Sequence, residues 1–144
     1  MTQEDKQLLI KDLCARLPYS VWGLHRGEDL PLYVIDSSGA YMVLGYNAWF
    51  NLDTVNFKPY LRPMSSITEK EMDELNRYVG GDRFVFANGV ISADENFYHE
   101  GHLYSDHEDY VDIIDWLNAH HFDYRGLIEK ELAIEVIEEN NPYK

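Results

Sequence analysis

The feature that most constrains the fold is a regular succession of short strand and turn signals between Ser20 and Tyr46. Apolar and β-branched residues, as in Leu32–Asp36, alternate with turn sequences at Arg26–Asp29 and Ser37–Gly39. Strands at such short spacing are typical of an antiparallel meander. The last segment, Ala40–Tyr46, is largely apolar on both alternating faces, so we expect a strand that is covered on both sides.

Three helices are predicted from start signals that precede apolar residues at helical spacing. The first begins after Thr2, which can act as its N-cap, and stops before Pro18. The second has the clearest start, because Thr68 and Glu71 stand at the spacing of a capping box. The third is expected over about Asp106–His120.

Together these signals predict an α+β fold, with an antiparallel sheet of about five or six strands and three helices packed mainly on one face. Asn88-Gly89 indicates a tight β-hairpin, since this pair suits the positive φ angles of a type I′ turn. Leu132–Val136 reads as a final strand or as the tail of a short helix begun at Leu127. We expect one domain over residues 1–144, with a frayed tail from Glu138 to Lys144.

The charge of the chain is strongly negative and unevenly distributed. The net charge is −14. Residues 1–72 carry a net charge of −2 and residues 73–144 a net charge of −12, with no Lys or Arg between Arg83 and Arg125. An acidic surface repels phosphate backbones and anionic lipid. The pattern therefore argues against direct nucleic-acid or membrane binding and favours a basic protein partner. The alternative is that the charge serves solubility only.

A single cysteine, Cys14, is present, so no internal disulfide can form. Its place in an apolar helical pattern predicts a small buried residue rather than a nucleophile. The polar first residues and the lack of a long apolar run argue against a signal peptide and a membrane span. We therefore expect a cytoplasmic protein.

Three stretches of the chain carry a resemblance to known sequences. They are Lys11–Tyr19, Lys58–Ser66 and Leu117–Ile128, about a fifth of the chain together. These stretches resemble a group of short uncharacterised proteins from anaerobic gut bacteria and their mobile elements. The resemblance implies a cytoplasmic bacterial protein, and it brings no activity, cofactor or catalytic residue with it.

The segment Trp116–Ile128 concentrates polar side chains between apolar anchors. His120 could act as a general base with Asp123 as its orienting carboxylate, and Tyr124 and Arg125 stand beside them. The alternative is that Asp123 and Arg125 form an ion pair that closes the turn. No nucleophile accompanies His120 in the sequence, which weakens the catalytic interpretation.

A metal site is a further candidate, since His99 and His102 stand three residues apart and could offer two imidazoles to Zn²⁺. No second pair stands at a recognisable ligand spacing, so this motif alone is weak. The chain also has no glycine-rich phosphate loop. The sequence therefore predicts no cofactor.

A binding surface is the third candidate. A helical wheel of the third helix gives one apolar face, made of Tyr110, Ile113, Ile114, Leu117 and His121. The same wheel places Glu108, Asp112 and Asp115 on the opposite face and Trp116 on the flank. Carboxylates beside a large aromatic side chain would suit a basic partner. The alternative is that Trp116 folds back under the turn that follows it. His121, by its place on the apolar face of the helix, is expected to be a hydrogen-bonded core histidine.

The loop that contains Tyr60 and Arg62 is a second possible partner site, although packing of Tyr60 against the second helix explains it equally well. The leading hypothesis is a non-enzymatic acidic protein that binds another protein, in an accessory, inhibitor or immunity-like role. The competing hypothesis is a small hydrolase-like or metal-dependent enzyme that uses His120, Asp123 and their neighbours. Uncovered strand edges would also allow a homodimer.

Overall fold

The computed structural model describes residues 1–54, 57–78, 84–87, 90–93, 98–99, 102–103 and 107–144, and it describes side chains in residues 1–54, 57–78 and 111–144. The described α-helices are α1 (Gln3–Arg16), α2 (Glu69–Tyr78) and α3 (His107–Ala119). The longer described strands are β1 (Trp22–His25), β2 (Glu28–Ile35), β3 (Ala40–Val43), β5 (Phe57–Pro63), β6 (Phe84–Ala87) and β7 (Val90–Ala93). The two-residue strands are β4 (Phe50–Asn51), β8 (Tyr98–His99), β9 (His102–Leu103), β10 (Phe122–Asp123) and β11 (Ile134–Glu135).

The main sheet has the strand order β10-β5-β1-β2-β3-β4, and β11 also pairs with β5. Strands β1 to β4 pair antiparallel in chain order, as the meander predicts, and β5 adds antiparallel to β1. β10 and β11 instead run parallel to β5. The α+β class is therefore confirmed, with a mostly antiparallel sheet that gains two short parallel strands from the C-terminal part of the chain.

The turns of the meander follow from local chemistry. Arg26 and Gly27 both have positive φ, +52° and +83°, and they join β1 to β2 as a two-residue hairpin turn. At the next turn, a carboxylate oxygen of Asp36 accepts hydrogen bonds from the backbone N–H groups of Ser38 and Ala40. Such a side-chain cap stabilises the tight connection between β2 and β3.

The predicted helix starts are confirmed where the structure describes them. The Thr2 hydroxyl accepts a hydrogen bond from the backbone N–H of Asp5 at 3.0 Å. At α2 the Glu71 N–H donates to the Thr68 hydroxyl, and the Thr68 N–H donates to the Glu71 carboxylate, each at 3.1 Å. Both arms of the capping box are therefore present.

Cys14 corrects one expectation, because it is exposed on α1 rather than buried. The buried residues of α1 include Leu9, Leu13 and three charged residues, Lys6, Asp12 and Arg16. Cys14 lies on a different face of α1, which is exposed. The helix thus buries charged residues that the apolar pattern does not place in the core.

The hairpin predicted around Asn88-Gly89 is present as the β6–β7 pair, with Ala87 opposite Val90. The two turn residues themselves lie outside the described residues. Leu132–Val136 contributes strand β11, as expected.

α3 is rotated relative to the predicted wheel. Its buried residues include Ile113, Trp116 and Leu117, whereas Ile114 is partly exposed. The reason is a second core in which α3 packs with α2 and with Phe122 of β10, separate from the main core under α1. Trp116 lies nearly parallel to the Phe122 ring in this core, with ring centroids 5.8 Å apart.

The C-terminal segment was expected to fray, and the structure gives its Tyr143 defined bonds. The Tyr143 hydroxyl accepts a hydrogen bond from the Trp22 N–H at 3.1 Å and donates one to the Tyr60 carbonyl at 2.8 Å. This phenol therefore links β1 and β5 next to Gly23 and Pro59, the last residues that these two strands pair. Of the helices in the described residues, none has the length and apolar character that a bilayer crossing requires.

Candidate functional site

The predicted catalytic residues lie in one turn, residues 120–128, which we call the C-terminal turn. Asp123 caps this turn: one carboxylate oxygen accepts the Leu127 N–H and the other accepts the Ile128 N–H, both at 2.9 Å. Asp123 is buried, and both of its oxygens are used by backbone amides. Its role in the structure is therefore to shape the backbone after β10.

Arg125 does not form the ion pair with Asp123 that the sequence offered as one alternative. Its guanidinium instead donates to Asp12 on α1 at 2.9 Å and to the Tyr124 hydroxyl at 2.7 Å. The Tyr124 hydroxyl in turn donates to Asn118 at 2.8 Å. Tyr124 and Arg125 thus connect the C-terminal turn to α1 and to the end of α3.

Asp12 holds two arginines in the interior of the protein. It accepts from Arg16 Nε at 2.7 Å and from Arg125, and the Asp12 and Arg16 side chains are fully buried. Arg16 also donates to the Phe122 carbonyl at 2.6 Å, while its Nη1 has no hydrogen-bond partner. A buried charge that loses its partner is costly, so this cluster makes α1 and the C-terminal turn depend on each other.

Three stretches of the chain, Lys11–Tyr19, Lys58–Ser66 and Leu117–Ile128, meet near this cluster. Arg16 from the first stretch bonds the Phe122 carbonyl in the third. Arg62 from the second stretch donates its backbone N–H to the His121 carbonyl at 2.7 Å, and its guanidinium lies 4.1 Å from the centre of the Phe122 ring. Residues of these three stretches therefore join α1, β5 and the C-terminal turn.

His120 faces α3 and does not bond Asp123. Its Nδ1 lies 2.9 Å from the Trp116 carbonyl, which makes this nitrogen the protonated one, and its ring stacks on Trp116 at 4.0 Å between centroids. Within the part of the chain that the structure describes, the hydrogen bonds of His120 and Asp123 go to backbone groups. The structure therefore does not assemble the expected pair of base and orienting carboxylate.

His121 differs from the predicted core histidine of the α3 face. α3 ends at Ala119, and His121 follows it in the left-handed region with φ of +65°. Its ring stacks on Tyr143 at 3.5 Å, and its Nδ1 has no hydrogen-bond partner. Burial, with the nearby positive charge of Arg16, lowers the pKa of His121 to about 4. His121 is therefore neutral near pH 7.

The candidate metal ligands His99 and His102 are Cα partners across the β8–β9 pair. Their side chains lie outside those that the structure describes. Among the described residues, no group of three or more His, Cys, Asp or Glu side chains is placed to hold a metal ion.

Trp116 does not provide the exposed aromatic anchor that was predicted for the binding surface on α3. Its side chain is only 6 % exposed, because it lies between His120 and Phe122 in the second core. Asp112 and Asp115 are partly exposed on the same helix, whereas the side chain of Glu108 is not described. The acidic face of α3 therefore has no tryptophan anchor.

Tyr60 and Arg62 also make internal bonds rather than forming an open partner site. Tyr60 is buried and donates its hydroxyl to Asp29, while Arg62 makes two hydrogen bonds to Glu71 at 2.6 and 2.7 Å. Hydrogen bonds from Arg62 are the main cause of a lowered pKa of the Glu71 carboxyl. These bonds attach β5 to β2 and to the first turn of α2.

Large exposed apolar side chains occur elsewhere, at the β2–β4 end of the sheet. We call this surface the outer patch and define it by Tyr33, Leu44 and Trp49. Tyr33 is 65 % exposed, Leu44 58 % and Trp49 57 %. Contiguous exposed apolar surface of this kind marks interaction sites.

Strand pairing places these residues on or beside neighbouring strands. Leu44 follows β3 and donates its N–H to the Pro31 carbonyl of β2, next to Tyr33. Trp49 precedes Phe50 of β4, which pairs with Tyr41 of β3. The outer patch therefore spans three neighbouring strands at one edge of the sheet.

The two faces of β3 differ, which corrects the expectation that both are covered. Tyr41 and Val43 are buried in the main core. Met42 on the other face is half-buried, and Leu44 just beyond the strand is exposed. The apolar alternation of this strand therefore supplies a core on one side and an open surface on the other.

Comparisons of the chain with models of protein families, with curated proteins and with solved structures give no match. Two regions then stand out on the geometry alone. The C-terminal turn uses its polar groups internally, and the outer patch offers apolar surface to solvent.

Proposed function

We propose that this chain is a non-enzymatic protein that binds a basic protein partner through the outer patch. The observation that supports the proposal is the exposure of three large side chains: Tyr33 on β2, Leu44 directly after β3 and Trp49 directly before β4. The amino-acid pattern of α3 predicts Trp116 as the aromatic anchor. With Trp116 in the core, Trp49 takes that place in the proposal.

The chemistry of the patch suits protein recognition. Tryptophan and tyrosine are the side chains that most often dominate binding energy, since they bury a large area and lose little rotamer entropy. The patch combines exposed aromatic rings with the nearby exposed carboxylates of Glu28 and Asp36, as the polar rim of a binding surface does.

Charge selects the class of partner. The chain carries a net charge of −14, and exposed carboxylates flank the patch at Glu28 and Asp36, near the two ends of β2. The partly exposed Asp112 and Asp115 add to the same negative field. Complementary charge raises the association rate and excludes partners of like charge. A basic protein with an apolar recess is therefore the occupant that we propose, in an accessory, inhibitor or immunity-like role.

The test is affinity capture by the tagged full chain from its native cell, repeated with the double variant Leu44→Ser/Trp49→Ser. Ile137→Ser is the matched control, because Ile137 is an exposed apolar residue outside the patch. We expect a basic protein to be retained by the wild type and by the control. The captured protein is then purified, and its affinity is measured by calorimetry at several salt concentrations. Loss of a tryptophan anchor should weaken binding by about 30-fold, which corresponds to about 2 kcal/mol.

Three outcomes contradict the proposal. The first is an equal affinity of the captured protein for the wild type and the double variant. The second is binding that does not weaken as salt rises, since a basic partner attracted by charge must respond to screening. The third is a wild-type dimer that sedimentation shows to dissociate in the double variant, because the occupant is then a second copy of the chain.

A further inference from the structure

His25 is the last residue of β1, and its side chain is completely buried although it carries two ring nitrogens. Its Nδ1 lies 3.0 Å from the Tyr41 hydroxyl, and its Nε2 has no hydrogen-bond partner among the residues that the structure describes. A buried polar atom without a partner is uncommon in folded proteins, because its hydration is lost and nothing replaces it. This histidine belongs to neither the outer patch nor the C-terminal turn.

Aromatic rings enclose the His25 imidazole. The centre of the Phe50 ring lies 4.5 Å from that of the imidazole, and the centre of the Tyr46 ring lies 5.8 Å from it. The Tyr41 ring of β3 lies edge-on at 5.7 Å. Tyr46 and Phe50 both belong to the connection from β3 into β4, residues 44–50, which we call the cover segment. The cover segment therefore lies over the buried histidine.

The cover segment lies at the surface and at the edge of the sheet. Residues 44–49 are all exposed, and β4 pairs with β3 over two residues only. The Tyr46 hydroxyl donates to Glu28 at 2.9 Å, and the Leu44 N–H donates to the Pro31 carbonyl at 3.0 Å. A segment with so little buried surface opens locally at a lower free energy than the whole chain unfolds. The rings that it places over His25 therefore matter for keeping it closed.

The charged and titratable groups around His25 do not favour its protonated form. Arg26 follows it in the turn, and Glu28 is its partner across the β1–β2 pair. Burial, with the positive charge of Arg26, lowers the pKa of His25, and Glu28 opposes these effects. Burial raises the pKa of Tyr41 to about 12, so this phenol stays neutral and cannot balance an imidazolium. The neighbours from β4 and β5 are phenylalanine residues, which carry no charge.

We propose that His25 is a proton-sensitive lock, whose neutral form keeps the cover segment closed and whose protonation releases it. Opening lets water reach Nε2 and supplies the acceptor that the closed form lacks. A proton therefore binds the open form more tightly than the closed form, so acid shifts the population toward the open form. Opening also displaces Leu44 and Trp49 and so weakens partner binding in acid, a consequence that rests on the proposed function, whereas the opening itself does not.

The test is hydrogen–deuterium exchange of the free full chain between pH 7.5 and pH 5, measured by mass spectrometry and corrected for the intrinsic pH dependence of exchange. We expect the protection of the cover segment to fall about threefold or more between pH 7 and pH 5, since His25 in the open form regains the ordinary pKa of 6.5. The amides of α1 and β5 should keep their protection, because the opening is local. No partner is present, so the result is independent of partner binding.

Two substitutions of His25 remove its titration in different ways. His25→Phe keeps an aromatic ring, and His25→Asn keeps a polar group that can bond the Tyr41 hydroxyl. In either variant the protection of the cover segment should no longer depend on pH. His121→Asn is the matched control, because it removes a second histidine whose pKa burial lowers, and it should respond as the wild type does. Circular dichroism at pH 7 establishes that each variant is folded.

The wild type also provides a measurement that needs no variant. The NMR signal of the His25 ring should titrate over the same pH interval in which the cover segment loses protection. Three results would overturn the proposal. The first is equal protection of the cover segment at pH 7 and pH 5. The second is a loss of protection while the His25 ring stays neutral, or an equal loss in the folded His25 variants. The third is a loss that extends equally to α1 and β5, because acid then unfolds the chain as a whole.

Discussion

The C-terminal turn and the outer patch use their side chains in opposite ways. In the C-terminal turn, Asp123 and Arg125 make hydrogen bonds to other groups of the protein. In the outer patch, Trp49 and Leu44 have more than half of their surface in solvent. The region richest in chemically versatile residues is thus the structural one, and the region of ordinary strand residues is the open one.

A local concentration of polar residues in the sequence need not mark a functional site. Such residues can instead bind partners from distant parts of the chain and hold the fold together. Arg125 stands out in the sequence beside His120 and Asp123, yet in the structure it pairs with the buried Asp12, which also binds Arg16. An exposed apolar residue such as Trp49 is inconspicuous, since strands contain apolar residues for many reasons. Substitutions in the two regions should differ in the size of their effect on the free energy of unfolding.

The largest effect is expected for Arg16→Met. The change leaves Asp12 with one cation instead of two and removes the donor to the Phe122 carbonyl. Breaking a buried ion pair costs about 3–5 kcal/mol of the free energy of unfolding. Urea unfolding followed by tryptophan fluorescence measures the loss. Lys11→Met, at an exposed lysine of the same helix, is the control and should change stability by less than about 0.5 kcal/mol.

An intermediate effect is expected for Tyr143→Phe. The variant keeps the ring that stacks on His121 and removes the hydroxyl that bonds the Trp22 N–H and the Tyr60 carbonyl. Leaving two backbone groups without a partner costs about 1–3 kcal/mol. Tyr33→Phe removes a hydroxyl from an exposed tyrosine and should be neutral. Equal urea midpoints for the two variants would show that the tail does not hold β1 to β5.

A pH effect is expected from His121, whose pKa falls from 6.5 to about 4 on folding. Between these values the unfolded chain binds a proton that the folded chain does not. The free energy of unfolding is therefore highest above pH 6.5, and it decreases as the pH falls from 6.5 toward 4. Since the side chain is partly exposed, we expect a loss of about 1–2 kcal/mol over this interval. In His121→Asn, which tolerates the positive φ, urea midpoints should fall less over the same interval.

Local sequence signals predicted the parts of the fold that depend on near neighbours. Thr2 and the pair Thr68 and Glu71 form their caps within three residues, and the turn after Asp36 forms within four. The succession of short strand and turn signals likewise predicted the antiparallel meander. In each case the interaction energy lies within one turn or one hairpin, so the amino-acid pattern carries the information.

Long-range contacts explain the remainder. Arg16 and the Phe122 carbonyl are 106 residues apart, and Trp22 and Tyr143 are 121 residues apart. No spacing in the chain predicts such pairs. The facing of α3 is also set at a distance, because Phe122 draws Trp116 into the second core. For β3, alternation of apolar residues shows that two faces are apolar but does not show which one is covered.

The most direct test of the account measures both stability and partner affinity of Trp49→Ser. We predict that the free energy of unfolding stays within about 0.5 kcal/mol of the wild-type value, because the side chain is exposed. We also predict that the variant binds the basic partner about 30-fold more weakly. A large loss of stability with unchanged affinity would contradict it. That result would make Trp49 a structural residue and remove the outer patch as the binding surface.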